Sequence, residues 1–379
     1  MSELDTQSDR SPRDEWLIDS LTRQVAVMEA MAGVARTGPP GSAGDEVAHC
    51  LAWRGVQRQA GRFGRNLEAR LRGRLAPRWE QELAGHHRVL AAYREEADEA
   101  LTGADPKVVV EAEGRLGLRV AVIGKGGAGK SMISGTLSRL LARRGHRVLA
   151  ADLDTNPGLA FSLGVSPTAG GLPPDAVEAH AGAAYGWRLR TGLSPAQAVD
   201  RLALTAPDGA RFLALGKIDD ADKTAPKQTL VALLEILLGF GDPAWDVVGD
   251  LEAGPTTPFE RYHAFADRVM VVVGPAWRSA MTARRLLPLV ADVPTLVVAN
   301  RFRDEPDHPG LAPAVRIPDD AAVARAERLG LAPLDECPDS PAIAAVRELA
   351  DLLTGGGNGH DHHHSDHDHS DHDQREVPV

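Results

Sequence analysis

The segment that decides the fold is Arg119-Val-Ala-Val-Ile-Gly-Lys-Gly-Gly-Ala-Gly-Lys-Ser131, which a helical pattern follows from Met132 to Arg144. Its first part is an apolar, β-branched run typical of a strand buried on both faces. Its second part matches G-x-x-x-x-G-K-S in the strand–loop–helix context that lets backbone N–H groups curl around phosphate oxygens. The segment therefore predicts a phosphate-binding loop, in which Lys130 contacts the outer phosphates and the Ser131 hydroxyl ligates Mg²⁺.

Short apolar runs alternate with helical stretches on the C-terminal side of this loop. The candidate strands are Arg119–Ile123, Arg147–Ala151, Arg211–Leu215, Trp245–Asp250, Arg268–Val273 and Thr295–Ala299. Such alternation is typical of a parallel sheet covered by helices. We therefore expect a P-loop NTPase fold, an α/β three-layer sandwich with a mostly parallel sheet.

Carboxylates follow two of the other candidate strands. Asp152 and Asp154 lie at the end of one, and Asp250 ends another. Because the carboxyl ends of parallel strands meet at one edge of the sheet, these groups are expected beside the phosphate loop, where they can orient water and help to hold Mg²⁺. The alternative for Asp152 and Asp154 is that they are ordinary turn aspartates.

Composition predicts two folded parts and a tail. The chain has 379 residues, of which 43% are apolar and 25% charged. We expect residues 1–13 and 355–379 to be disordered, 14–106 to form an all-α module, and 108–354 to form the nucleotide-binding domain, beginning where the β-branched run at Val108 starts. The expected helices of the module are Asp14–Arg36, Asp45–Gly73 and Pro77–Leu101, and its placement relative to the nucleotide site stays open.

Compartment and partners are only broadly limited by the sequence. No apolar run reaches the roughly 20 residues that a membrane span requires, so a cytoplasmic location without a transmembrane segment is expected. The cysteines Cys50 and Cys337 are far apart and form no Cys-x-x-Cys site. A net charge of −11 argues against wholesale binding of nucleic acid.

An arginine-rich stretch runs from Arg54 to Arg78, with eight arginines against one acid. Arg54, Arg58, Arg62 and Arg65 recur at helical spacing. One interpretation is a solvated face of a helix that packs through its apolar side, and the other is a surface for nucleic acid, an acidic partner or anionic lipid.

The C-terminal tail holds seven of the fourteen histidines, interleaved with carboxylates. They are His360, His362, His363, His364, His367, His369 and His372. This composition suits loose chelation of Ni²⁺, Zn²⁺ or Co²⁺, and the alternative is a solubilising segment or a purification tag.

Lys125 directly precedes Gly126-Gly-Ala-Gly-Lys-Ser131, and in this the chain resembles the deviant Walker A group that includes MinD and ParA. In that group this lysine reaches the partner's phosphates in a nucleotide-sandwiched dimer. The resemblance implies an ATPase that forms a homodimer on binding ATP. It also implies that Lys125, Lys130 and Asp154 are catalytic, that Asp154 handles the attacking water, and that Asp152 and Asp250 serve the Mg²⁺ side.

The resemblance also implies the nucleotide-binding residues. They are Gly124, Lys125, Gly126, Gly127, Ala128, Gly129, Lys130, Ser131, Met132, Asn300, Arg301 and Pro318, of which the last three are expected near the adenine base. Position 303 is Arg, so the arrangement Asn-Lys-x-Asp of guanine readers is absent and ATP is favoured over GTP.

Within this group, Leu215-Gly-Lys-Ile-Asp219 and Asp250-Leu-Glu-Ala-Gly254 are most similar to CooC-type ATPases, which assist nickel insertion. Those proteins carry a Cys-x-Cys metal site where this chain reads Lys223-Thr-Ala-Pro-Lys227, so metal capture by paired thiolates is excluded. Two functions stay open: an ATPase that assists metalloenzyme assembly on an unidentified client, and a positioning or partition ATPase that acts on DNA, a membrane or a protein through the arginine-rich module.

Overall fold

The computed structural model describes residues 12–38, 44–71, 77–155, 158–166, 171–180, 187–215, 225–255, 261–303 and 308–355. Within these ranges a helical part precedes an eight-stranded sheet that helices cover on both faces. The predicted fold class, a three-layer α/β sandwich with a mostly parallel sheet and an N-terminal helical module, is confirmed. The C-terminal tail from residue 356 onward lies outside the described residues.

The helices and strands alternate as expected after the first four helices. The helices are α1 (Pro12–Thr37), α2 (Glu46–Leu71), α3 (Pro77–Thr102), α4 (Pro106–Gly114), α5 (Lys130–Arg143), α6 (Leu159–Leu163), α7 (Pro195–Leu202), α8 (Ala225–Gly239), α9 (Trp277–Leu286), α10 (Ala321–Leu329), α11 (Pro333–Glu336) and α12 (Pro341–Thr354). The strands are β1 (Arg119–Gly124), β2 (Arg147–Leu153), β3 (Val177–Ala179), β4 (Trp187–Leu189), β5 (Leu204–Thr205), β6 (Arg211–Ala214), β7 (Trp245–Leu251), β8 (Arg268–Val273), β9 (Thr295–Phe302) and β10 (Pro313–Pro318).

The large sheet has the strand order β10-β9-β8-β1-β7-β2-β6-β5, and only the short edge strand β5 runs antiparallel to its neighbour. All six strands that the sequence predicted are present. They are apolar because helices cover both faces: α5, α6 and α12 on one, α8 and α9 on the other. The edge strand β10 was missed because its residues alternate between buried and exposed between two prolines.

The residues at which the nucleotide-binding domain is expected to begin, from Val108, lie in a helix. Residues 106–114 form α4, whose first turn is capped by the Asp105 side chain, 2.8 Å from the Lys107 amide. Val108 and Val109 pack against the core of the helical part. The Asp-Pro cap and the apolar surface of the module favour a helix over this β-branched run.

One face of α2 joins the helical part to the rest of the chain. Gly55 lies against Pro243, and a Cβ at this glycine would be 2.8 Å from the Pro243 Cβ, so a side chain would push the two parts away from each other. One turn further, the Gln59 side-chain amide donates a hydrogen bond of 2.8 Å to the Leu238 carbonyl. The contact therefore consists of close packing combined with a buried polar bond.

The arginine row of α2 belongs to this contact. Arg62 is 5% exposed and bonds to the carboxylate of Asp267 at 2.8 Å, and Arg58 bonds to the same carboxylate. Arg58 also donates to the Gly117 carbonyl at 3.1 Å. Both interpretations of this row, a solvated face and a nucleic-acid surface, are therefore wrong for Arg58 and Arg62, because these side chains hold the module on the sheet domain.

The helical part docks at the amino ends of the central strands. Gly117 precedes β1, Pro243 precedes β7 and Asp267 precedes β8. The phosphate loop leaves the carboxyl end of β1, so the module stands at the opposite edge of the sheet from the predicted nucleotide site. None of the described helices has the length and apolar character that crossing a bilayer requires.

Candidate functional site

The loop between β1 and α5 has the backbone shape that its glycines allow. Helix α5 begins at Lys130, and Gly129, which precedes it, has a φ of 93° in the left-handed region. A Cβ at Gly129 would lie 2.1 Å from the side-chain nitrogen of Asn300. This position therefore requires glycine both for its backbone conformation and for the approach of β9.

Strand β9 holds the outer turn of the loop. The Asn300 side chain is 1% exposed, and its Nδ2 donates to the Ala128 carbonyl at 2.8 Å. Arg301 donates to the Gly127 carbonyl at 3.3 Å and pairs with Glu327 at 2.8 Å. The structure thus brings two of the three residues predicted near the base onto the loop.

Asp250 lies one residue before the end of β7, near Lys130 and Ser131 of the phosphate loop, and its side chain is buried. Neither carboxylate oxygen accepts a hydrogen bond of normal geometry from the described residues. Burial raises the pKa of Asp250, while the Lys130 ammonium and the Ser131 hydroxyl oppose the shift. A buried carboxylate left open beside a lysine and a hydroxyl is suited to a divalent cation.

Asp152 lies beside Asp250 on the neighbouring strand but is already engaged. Its oxygens accept the backbone amides of Asp154 at 3.0 Å, Gly158 at 3.2 Å and Leu159 at 3.0 Å. Burial, and then the charge of Asp250, raise its pKa. Asp152 therefore shapes the loop that carries Asp154, and Asp250 is the more open of the two carboxylates.

The loops after β2 and β7 touch each other and the phosphate loop. The Thr155 hydroxyl donates to the Glu252 carboxylate at 3.0 Å. The Gly254 amide donates to the Gly124 carbonyl at 3.3 Å. Asp154 therefore sits in a loop that the neighbouring loop supports.

A cleft of about 390 Å³, here called the outer cleft, lies between the phosphate loop, the segment after β8 and the end of β9. Its walls are Lys125–Ala128, the loop after β8, Ser279 of α9, and the side chains of Arg301, Arg303 and Asp319. Arg303 and Asp319 pair at 2.6 Å across its rim. The lining of the outer cleft does not include Lys130, Ser131 or Asp250, which lie close together elsewhere on the loop.

Most of the predicted site residues thus lie at one edge of the sheet. Met132 is buried in the first turn of α5, and Pro318 ends β10 next to Asp319. Sequence reasoning missed Thr155 and Glu252, because it linked neither to a partner. Asp319, which directly follows Pro318, also lines the cleft.

The histidines predicted to chelate a transition metal lie outside the described residues. Within the described ranges, no three histidine, cysteine, aspartate or glutamate side chains are grouped so as to hold a metal ion. Of the cysteines, Cys50 is buried and Cys337 is half-buried.

A phosphate loop between β1 and α5, beside an open buried carboxylate at the end of the adjacent strand, defines a P-loop nucleotide-binding protein. The sequence model of the CobQ/CobB/MinD/ParA nucleotide binding domain matches residues 120–331, more than half of the chain. The chain belongs to this family, and it is a P-loop ATPase.

Characterised and uncharacterised relatives share this domain. The carbon monoxide dehydrogenase accessory protein CooC of Rhodospirillum rubrum is 30% identical over 191 residues, which cover 46% of this chain and 70% of that protein. An uncharacterised ATP-binding protein of Methanocaldococcus jannaschii is 28% identical over 233 residues, or 56% of this chain and 90% of that one. Among solved structures, the septum site-determining protein MinD of Pyrococcus horikoshii with Mg-ADP superposes with a TM-score of 0.47 at 17% identity, covering 63% of this chain and 96% of that chain.

Proposed function

We propose that this chain is an ATP-driven dimeric switch that assists the assembly of a metalloenzyme. The observation that carries the nucleotide part is Asp250, buried and without a hydrogen bond of normal geometry among the described residues, beside Lys130 and Ser131. Burying an ionised carboxylate without hydrogen bonds costs free energy unless a cation binds to it.

The loop residues supply the phosphate contacts. The N–H groups of the glycine-rich turn and of the first turn of α5 surround the phosphates, and Lys130 neutralises the outer ones. Asn300 and Arg301 hold the turn in this shape through the carbonyls of Ala128 and Gly127. On the same proposal, Pro318 lies at the edge of the base site, and Met132 is buried in the first turn of α5.

The residues present fit Mg²⁺. Asp250 and the Ser131 hydroxyl would hold it together with phosphate oxygens and water, which is the mixed ligand set that Mg²⁺ prefers. When bound, the ion neutralises charge that develops on the phosphates during transfer. Asp152 supports this arrangement through the loop amides that it accepts.

Hydrolysis requires a water molecule in line with the outer phosphate, and little covalent chemistry from the protein. Burial is the main cause of the raised Asp250 pKa, and the negative charge of Asp154, in the loop after β2, adds to it. Asp154 orients that water, and Lys130 stabilises the charge on the phosphoryl group as it passes from ADP to water.

Lys125 is the group proposed to act across a dimer. It lines the outer cleft, and its ammonium makes a bond of 3.4 Å to the Gly126 carbonyl, at the long end of the hydrogen-bond range. Little is therefore lost when the ammonium moves to a phosphate of a second copy. Two ATP molecules would then be held between two chains, and their hydrolysis would release the two chains from each other.

The metalloenzyme role rests on the similarity to CooC, the accessory protein of carbon monoxide dehydrogenase. The chain lacks the paired cysteines of the CooC type, so we propose the histidine tail as its site for Ni²⁺ or another divalent transition metal. The client is an unidentified protein.

Equilibrium dialysis with Ni²⁺ tests the metal part. The full chain is compared with a chain ending at Gly355, and the expected result is loss of bound nickel on truncation while ATP binding is unchanged. An unchanged nickel stoichiometry would remove the tail from the proposal.

A further inference from the structure

The segment after β7 is attached to the phosphate loop at its glycine. The Gly254 amide donates to the Gly124 carbonyl at 3.3 Å. A Cβ at Gly126 would lie 3.6 Å from the Ala253 Cβ, which is ordinary van der Waals contact. The backbone of residues 252–254 is therefore set by the phosphate loop itself.

The same segment holds the loop that carries Asp154. The Thr155 hydroxyl donates to the Glu252 carboxylate at 3.0 Å, and Thr155 directly follows Asp154. On its other side, the Asp154 amide donates to Asp152 at 3.0 Å. The backbone of Asp154 is thus fixed from both sides by groups that belong to the sheet edge.

We propose that Thr155 and Glu252 are positioning residues for ATP hydrolysis. The phosphate loop holds Gly254, the segment that contains Gly254 carries Glu252, and Glu252 holds Thr155. This series of contacts fixes the position at which the Asp154 carboxylate meets the attacking water. This inference rests on the proposed role of Asp154 in hydrolysis. Positioning of this kind matters because a displacement of about 1 Å in a reacting group can cost about 100-fold in rate.

The chemistry of the pair fits this role. A carboxylate is an acceptor only, and a threonine hydroxyl can donate to it while the β-branched side chain restricts rotation about χ1. Both side chains are partly buried, which limits competition from water. The Glu252 carboxylate accepts the Thr155 hydroxyl. The Asp250 carboxylate accepts no hydrogen bond of normal geometry among the described residues and is the proposed ligand of the cation.

The test measures kcat for ATP hydrolysis and the Kd of a non-hydrolysable ATP analogue. Thr155→Ala and Glu252→Ala are expected to lower kcat about 10- to 100-fold, with Kd changed less than about 2-fold. Thr155→Ser and Glu252→Gln keep a donor and an acceptor, so their kcat should return to within about 3-fold of wild type. The double alanine variant should be no slower than the slower single one, because the two residues act as a unit.

The chain offers a matched control. In a second bond between a threonine and a glutamate, the Thr191 hydroxyl in the turn after β4 donates to the Glu178 carboxylate of β3. Thr191→Ala removes an equivalent bond away from the phosphate loop and should leave kcat unchanged.

Several outcomes would overturn the inference. A wild-type kcat in Thr155→Ala, additive losses in the double variant, or a Kd that worsens together with kcat would each show that the pair does not position Asp154. Asp154→Ala separates this failure from failure of the proposed function: an inactive Asp154→Ala with an active Thr155→Ala removes only the pair, whereas an active Asp154→Ala removes both.

Discussion

Asp152 and Asp250 are register partners on the adjacent strands β2 and β7, both buried, yet their surroundings differ. Asp152 accepts three backbone amides from the loop that follows it, whereas Asp250 accepts no hydrogen bond of normal geometry among the described residues. Two buried carboxylates side by side raise each other's free energy unless a cation or a proton intervenes. From this difference in bonding we propose that Asp250 holds the cation and that Asp152 shapes the loop.

Asp250→Asn is therefore expected to remove the Mg²⁺ dependence of ATP binding and to lower hydrolysis at least about 100-fold, because the amide has no charge to offer the ion. Isothermal titration of ATP with and without Mg²⁺ measures the first effect, and phosphate release measures the second. The amide matches the carboxylate in size, so the fold should persist. A variant that still binds ATP more tightly with Mg²⁺ would contradict the assignment.

Gly129→Ala should weaken ATP binding by more than about 10-fold. The left-handed backbone costs an alanine about 1 kcal/mol, and its Cβ would meet the Asn300 side chain at 2.1 Å. The control is Gly145→Ala, where φ is 86° and nothing lies within 4 Å of the added Cβ. It carries the strain without the clash, so its ATP affinity should equal that of wild type. Equal losses in both variants would show that Asn300 does not act on the loop.

The sequence could predict the six strands, the glycine-rich loop between β1 and α5, and the position of Asp250 near the end of a strand, because each follows from a continuous local pattern. It could not pair Thr155 with Glu252, because β7 lies between β1 and β2 in the sheet, out of chain order. Helical spacing showed that Arg58 and Arg62 share a face of α2. It could not show that the face meets Asp267, 205 positions beyond Arg62, since only the docked fold brings them together.

Asp267→Asn should destabilise the chain by about 3 kcal/mol, because it leaves the buried Arg62 guanidinium without a counter-charge. Urea unfolding followed by far-ultraviolet circular dichroism measures the shift of the midpoint. Glu96→Gln is the control, since it removes an exposed ion pair with Arg36 and should shift the midpoint little. Equal shifts in the two variants would mean that the contact between α2 and Asp267 adds nothing to stability.

The stability difference between wild type and Asp267→Asn should depend on pH. Burial alone would raise the pKa of Asp267, but the charges of Arg62 and Arg58 outweigh burial and hold it below its ordinary value. A depressed pKa stabilises the folded state above the unfolded value of about 3.9, and this stabilisation is lost as the pH falls through the folded pKa. The gap between wild type and Asp267→Asn should be constant from about pH 7 to about pH 5 and shrink below about pH 4. A gap that shrinks already near neutral pH would contradict the pairing.

Sedimentation velocity with ATP and Mg²⁺ shows whether ATP drives dimerisation of the chain. The experiment compares wild type, Lys125→Ala and Asp154→Ala, each with and without stoichiometric Ni²⁺. We expect wild type to dimerise only with ATP and Asp154→Ala to stay dimeric because it cannot hydrolyse the nucleotide. We expect Lys125→Ala to stay monomeric and Ni²⁺ to strengthen the wild-type dimer. A wild-type chain that binds ATP and sediments as a monomer would contradict the dimeric switch.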